Sequence, residues 1–238
     1  MASHKALTGK HQYVEFKPEA IAERVKKMVA YRDGLDITDQ HIKLSYGNRK
    51  TGSLVPSISL IPIADCGHNC KVCANGCYAA RSIACYDASR KMMAHNSAIA
   101  HGDLPRYFRE LNAAVKFIRF LRIHVSGDII NPAYLTGMVD VAFKNPHCQF
   151  LCFTKQFEII NDYLDDHDDG FPENLHIIFS EWRGLDVPNP HNLPTSRTVL
   201  PGETIDGVKC NGNCSECAAF NCGCWALNPG QRVIFEAH

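Results

Sequence analysis

The chain has no apolar run long enough to cross a bilayer, and Met1 to Lys10 has no apolar core of the signal-peptide kind. It also has no net charge, because 25 Lys and Arg are balanced by 25 Asp and Glu. Binding to polynucleotides or to an anionic membrane draws on clustered positive charge, so neither nucleic acid nor a membrane is indicated as a partner. No phosphate-binding loop, nucleophile elbow or HExxH motif occurs. The acidic run Asp162 to Asp169 lacks the EF-hand spacing and reads as a solvated helix end. There is no internal repeat and no low-complexity tract. These absences predict a protein of the reducing cytoplasm, where thiols stay free.

Cysteine, by contrast, is plentiful. Of the 12 cysteines, Cys66, Cys70, Cys73, Cys77 and Cys85 form one group and Cys210, Cys214, Cys217, Cys222 and Cys224 a second; only Cys148 and Cys152 stand apart. In a reducing compartment, clustered cysteines hold metal rather than disulfides. Two groups far apart in the chain read as two sites.

With 238 residues, 45% of them hydrophobic, the chain can bury one sizeable core. Ile21, Val25 and Met28 recur at helical spacing behind Pro18, which predicts a helix over 18–28. Ser57 to Ile63 alternates and then turns continuously apolar, the pattern of a strand that runs into the first cysteine group. Beyond it, helices are predicted over 87–100, 104–120, 132–144 and 157–164. Strands are predicted over 121–125, 148–153 and 175–179, with a short one at 198–200. Alternation of this kind argues for a parallel sheet wound by right-handed crossovers. There is room for five or six such units, fewer than a closed barrel needs. The expectation is α/β: a partial, open TIM-type barrel with outer helices, plus a small C-terminal cysteine-rich metal-binding module. The expected division is a helical leader at 1–50, an α/β domain at 51–205 and the cysteine module at 206–238.

Three predicted strands end in small or polar residues: Ser126-Gly127-Asp128, Thr154-Lys155 and Ser180-Glu181. In parallel α/β folds, ligands bind at the C-terminal edge of the strands, which makes all seven candidates for cofactor contact. Ser126 and Asp128 have a second role open to them, as caps for the helix at Pro132, and Lys155 and Glu181 also read as solvated loop charge. Arg183 reads either as a partner for a carboxylate or as surface charge.

Cys66-Gly-His-Asn-Cys70-Lys-Val-Cys73 sets three thiols at Cys-x3-Cys-x2-Cys spacing just after the first predicted strand. Three thiolates in one loop can hold three irons of a 4Fe-4S cluster and leave the fourth iron open. In spacing and position the triplet resembles the radical S-adenosylmethionine (SAM) superfamily. Ser126-Gly127-Asp128 stands where that superfamily carries a Gly-Gly-Glu-like motif, followed here by Asn131-Pro132 and a helix. Phe153-Thr154-Lys155 stands where it has a strand ending in Thr-Asn. The resemblance covers about residues 55 to 185 and differs at Val72, where an aromatic residue is common. It implies SAM at the open iron, reductive cleavage of SAM to start radical chemistry, and an electron donor such as flavodoxin or ferredoxin. The substrate is not implied. Cys77-Tyr78-Ala79 and Cys224-Trp225 also resemble signatures of a phage-encoded family, which implies action in a host cytoplasm.

Cys77 leaves the first ligand set open. As a fourth ligand it would close the cluster, or make a four-sulfur zinc site; as a small hydrophobe it would be packed on the following helix. In the second group five cysteines lie within fifteen residues, and four of Cys210, Cys214, Cys217, Cys222 and Cys224 suffice for a metal. A second 4Fe-4S cluster and zinc both remain open there. The alternatives to a radical SAM enzyme are a non-catalytic phage metalloprotein with closed zinc or iron–sulfur sites and a SAM-independent iron–sulfur enzyme. His68 reads as a loop residue and His124 as a satisfied core histidine.

Overall fold

The computed structural model describes residues 18–46, 51–52, 54–67, 73–74, 77, 79–200 and 202–236. The strands are β1 (Ser57–Ile58), β2 (Phe120–Ile123), β3 (Gln149–Thr154), β4 (Leu175–Ser180), β5 (Thr195–Val199), β6 (Val208–Lys209) and β7 (Arg232–Glu236). They form one parallel sheet in the order β1-β2-β3-β4-β5-β7-β6. No pairing among the described residues joins β1 to β6, so the sheet is open. The helices are α1 (Pro18–Asp33), α2 (Ala79–Cys85), α3 (Asp87–Gly102), α4 (Leu104–Ala114), α5 (Pro132–Lys144), α6 (Phe157–Asp166) and α7 (Cys214–Ala219).

Alternation along the strands decides what each face meets. Leu121 and Ile123 of β2, Phe150 and Cys152 of β3, and Ile177 and Phe179 of β4 join Leu111, Tyr134, Met138 and Ile160 of α4, α5 and α6 in the main core. On β2 and β3 the intervening residues point the other way. Phe120, Leu151 and Phe153 pack with Ala218 and Trp225 of the cysteine-rich segment. Both faces of the strands are therefore covered, which is why β3 and β4 read as nearly continuous apolar runs. A third cluster, with Ile21, Val25 and Met28 of α1, Ile83 of α2 and Met93 of α3, packs at the Ile61 end of the sheet.

Local chemistry marks the helix starts. Asn131 accepts the Tyr134 amide at 2.8 Å, with Pro132 in the first turn of α5. Asp103 accepts the Arg106 amide at 3.0 Å at the start of α4.

Several boundaries differ from the sequence expectation. The helix expected over 104–120 stops at Ala114, because the chain must turn back to let Phe120 enter β2. The first strand pairs over two residues only; Leu60 then donates to the Ser126 carbonyl, and Ile63 has a positive φ of 69°. The strand expected at 198–200 spans Thr195–Val199. β6 and β7 were not expected, and β7 pairs with all five residues of β5. The cysteine segment is thus anchored to the sheet at both ends. No helix among the described residues is long and apolar enough to cross a membrane.

Candidate functional site

The loop that begins the first cysteine group is fixed to the C-terminal ends of β1, β2 and β3. Its anchor is Asp65, whose side chain is fully buried. One carboxylate oxygen accepts the Ile61 amide at 2.8 Å. The other accepts from Arg32 of α1 at 3.3 Å and lies 3.0 Å from His101 Nε2 of α3. The Asp65 carbonyl accepts the Asp128 amide at 2.8 Å, and the Cys66 carbonyl accepts from Gln156 Nε2 at 2.7 Å. Cys66 Sγ accepts the Ile63 amide at 3.2 Å, an N–H···S contact that suits a thiolate ligand. Cys70 lies outside the described residues. Cys73 and Cys77 are half-buried, and Cys77 packs against the apolar cluster of α1, α2 and α3.

Ser126, Gly127 and Asp128 hold strand ends together. Ser126 Oγ donates to the Leu60 carbonyl at 2.9 Å. Gly127 has a φ of 79°, and a Cβ there would stand 2.6 Å from Leu60 Cβ, so this crossing admits only glycine. The Asp128 carboxylate accepts from the Ile129 amide at 2.8 Å, the Thr154 hydroxyl at 2.7 Å and the Lys155 amide at 2.9 Å. Lys155 Nζ donates to Ser180 Oγ at 2.9 Å and lies 5.7 Å from the Trp182 ring centroid. Glu181 Oε1 accepts from Arg232 Nε at 3.0 Å and Nη2 at 2.9 Å, so β7 holds it. Arg183 pairs with Glu203. The seven strand-end candidates therefore share one edge with the cysteine loop, and most of their polar atoms already serve that edge. Asp65 is the organising residue that sequence reasoning missed.

Beneath this edge, His124 has Nε2 3.0 Å from the Tyr134 hydroxyl, and burial drops its pKa to about 3. Burial lifts Asp128 to about 6 against the pull of its three donors. The two act oppositely on acid stability. Below its unfolded pKa of 6.5, unfolded His124 takes up a proton that the folded ring refuses, so stability falls with pH down to about 3. Folded Asp128 takes up a proton between about 6 and 3.8 that the unfolded chain refuses, so stability there rises as pH falls. Each slope is about 1.4 kcal/mol per pH unit. Asp128→Asn is therefore expected to lose about 1.4 kcal/mol relative to wild type for each pH unit between 6 and 4, read from urea melts. Parallel pH profiles for the two proteins would refute the Asp128 assignment.

The second cysteine group lies against the face of the sheet opposite α4, α5 and α6. Cys210, Cys214, Cys217 and Cys224 line one pocket with Arg122, Phe153 and Trp225, while Cys222 is exposed. The Gly212 amide points at Cys210 Sγ at 3.4 Å. Gly223 has a φ of 58°, and a Cβ there would stand 3.1 Å from Cys217 Sγ, so glycine lets the chain pass close under that thiol. Burial and the nearby Cys222, Cys210 and Cys214 thiols push Cys217 to about 12. Burial likewise pushes Cys224 to about 12. Burial thus favours the neutral thiol at both, and a metal held there would have to displace their protons. Among the described residues no three His, Cys, Asp or Glu side chains are already placed to hold a metal ion. The thiols share a pocket, and binding requires them to draw together.

The chain matches no curated protein and no solved structure. A family model described as Gene product 88 matches residues 35–185, a stretch that holds the first cysteine group and the clamp of Asp65, Asp128 and Thr154 but ends before Cys224 and Trp225. That match spans well over half of the 238 residues, and the chain belongs to the Gene product 88 family.

Proposed function

We propose that the protein is an iron–sulfur enzyme of the radical SAM type, in which Cys66, Cys70 and Cys73 hold a 4Fe-4S cluster. One observation carries this reading. The loop that starts at Cys66 follows the first strand of an all-parallel sheet and is bonded, through Asp65 and Cys66, to the ends of the second and third strands. The strands β1 to β5 lie side by side in chain order, which is compatible with a partial barrel, and the C-terminal edge of parallel α/β folds is where ligands bind. Bound there, the cluster and SAM supply reductive cleavage of a sulfonium, with electrons from a flavodoxin- or ferredoxin-like donor. The chain's own part is to hold the loop. Asp65 ties it to α1 and α3, and Asp128 ties the strand ends beneath it. Ser126 and Asp128 are the floor of the site in this reading, while Lys155 and Ser180 form its rim. The Gene product 88 family is one of phage gene products, which supports action in a host cytoplasm.

A specific observation also favours a second reading, a non-catalytic phage metalloprotein with closed sites. Asp128 and Ser126 spend their oxygens on internal hydrogen bonds rather than turning them outward. Electron paramagnetic resonance on anaerobically purified, dithionite-reduced protein separates the two. The enzyme reading predicts a reduced four-iron signal that changes on adding SAM and is lost in Cys66→Ala. A signal indifferent to SAM, or zinc in place of iron, would support the closed-site reading instead.

A further inference from the structure

Arg122 is the one residue of β2 whose placement the apolar packing does not explain. Its neighbours Leu121 and Ile123 point into the main core, and Arg122 points the other way, into the pocket of the second cysteine group. The residue is only 8% exposed. Its guanidinium carbon lies 5.0 Å from the Phe153 ring centroid, and Nη1 stands 3.8 Å from Cys214 Sγ. Its Nε is buried with no hydrogen-bond partner among the described residues. No carboxylate among them forms an ion pair with it. A guanidinium cannot shed its proton, so the positive charge stays. A buried, uncompensated charge is strongly destabilising, and proteins that retain one pair it.

The negative charge is missing only while the thiols are protonated. Four thiolates around one zinc ion carry two net negative charges, and so do four thiolates around an oxidised 4Fe-4S core. Either centre makes the pocket anionic beside a cation held in a dry place, where the attraction is weakly screened. We infer that Cys210, Cys214, Cys217 and Cys224 build a four-thiolate metal centre whose buried counter-cation is Arg122, with Cys222 outside the ligand set. The four share the pocket with Arg122, while Cys222 is exposed beside it. Arg122 belongs to the sheet, so the centre is also what fastens the cysteine segment electrostatically to β2. The inference rests on the metal at this second group and is independent of SAM at the first.

The test uses full-length protein, metal analysis, and chelator competition with zinc or, after anaerobic reconstitution, with iron and sulfide. Cys222→Ser is expected to retain as much metal as wild type, and Cys224→Ser to lose one centre. Arg122→Met keeps the packing on Phe153 and removes the charge. It is expected to weaken metal retention about 10- to 100-fold, the range of other outer-shell partners. Its metal-free form should be no less stable than metal-free wild type, because an unpaired buried charge has gone. Arg122→Lys keeps the charge and should retain metal far better than Arg122→Met, which holds the inference testable if the methionine variant fails to fold. Undiminished retention in a folded Arg122→Met would overturn the counter-cation. Loss of a centre in Cys222→Ser would overturn the ligand set. Equal metal content in wild type and Cys224→Ser would overturn Cys224 as a ligand, and with it the proposed centre, and leave the reading of the first loop standing.

Discussion

Replacing Asp65 by alanine is expected to lower the unfolding free energy by about 3–5 kcal/mol, the range for removing one partner from a buried charge network. The side chain is inaccessible to solvent and serves three elements at once: the Ile61 amide, Arg32 of α1 and His101 of α3. Alanine would leave a buried amide without an acceptor, costing about 1–3 kcal/mol alone. It would also remove the carboxylate that Arg32 and His101 face. For a chain of this size the loss corresponds to a fall of about 10 °C in the melting temperature. Arg32→Ala should cost far less, about 1 kcal/mol, because Arg32 is partly exposed and also pairs with Asp33. The same variants report on function. Asp65 immediately precedes Cys66, and its carbonyl holds Asp128, so if the first loop holds the proposed iron–sulfur cluster, Asp65→Ala should lose that iron together with stability. Full iron content at a lowered melting temperature would separate the fold from the site and show that Asp65 does not position the loop.

What was legible in the sequence, and what was not, divides along sequence distance. The run Cys148 to Phe153 announced β3, and Asn131-Pro132 announced the start of α5, because both signals are local. His124 read as a satisfied core residue, and it meets Tyr134 ten positions away. The clamp at Asp65 was invisible because its partners, Arg32 and His101, lie 33 and 36 residues off. β7 was missed although Arg232-Val-Ile-Phe-Glu236 has a strand's composition, since the whole stretch 206–238 reads as a cysteine-rich metal-binding module. Nothing in the local pattern Leu121-Arg122-Ile123 marks Arg122 as buried. Only the covering of both faces turns it into a buried cation, and that covering depends on Trp225, more than a hundred residues downstream. Ser126, Gly127 and Asp128 were found by position, but their internal bonds follow from register between strands, which no local pattern encodes.

Trp225→Ala is expected to cost about 3–5 kcal/mol, as for other buried aromatic truncations, and to release the cysteine segment from the sheet. Trp225 is 3% exposed and stands edge-on to Phe120, with ring centroids 5.3 Å apart, in one cluster with Leu151 and Ile178. The segment between β6 and β7 has little other apolar cover; Ala218 is its only other nearly buried hydrophobe. β7 should stay in place, because all five of its residues pair with β5. The loss should therefore be local: faster proteolysis within residues 210–227, faster thiol labelling of Cys217 and Cys224, and a sheet that keeps its cooperative melt at lower temperature. Trp225→Phe, which restores most of the apolar contact, should recover most of the stability. A metal held by the proposed four-thiolate centre would mask the defect in proportion to its preference for the folded segment. If proteolysis and labelling are unchanged while stability falls, the segment is held by its strand pairing alone, and Trp225 fills the core without fastening the cysteines to it.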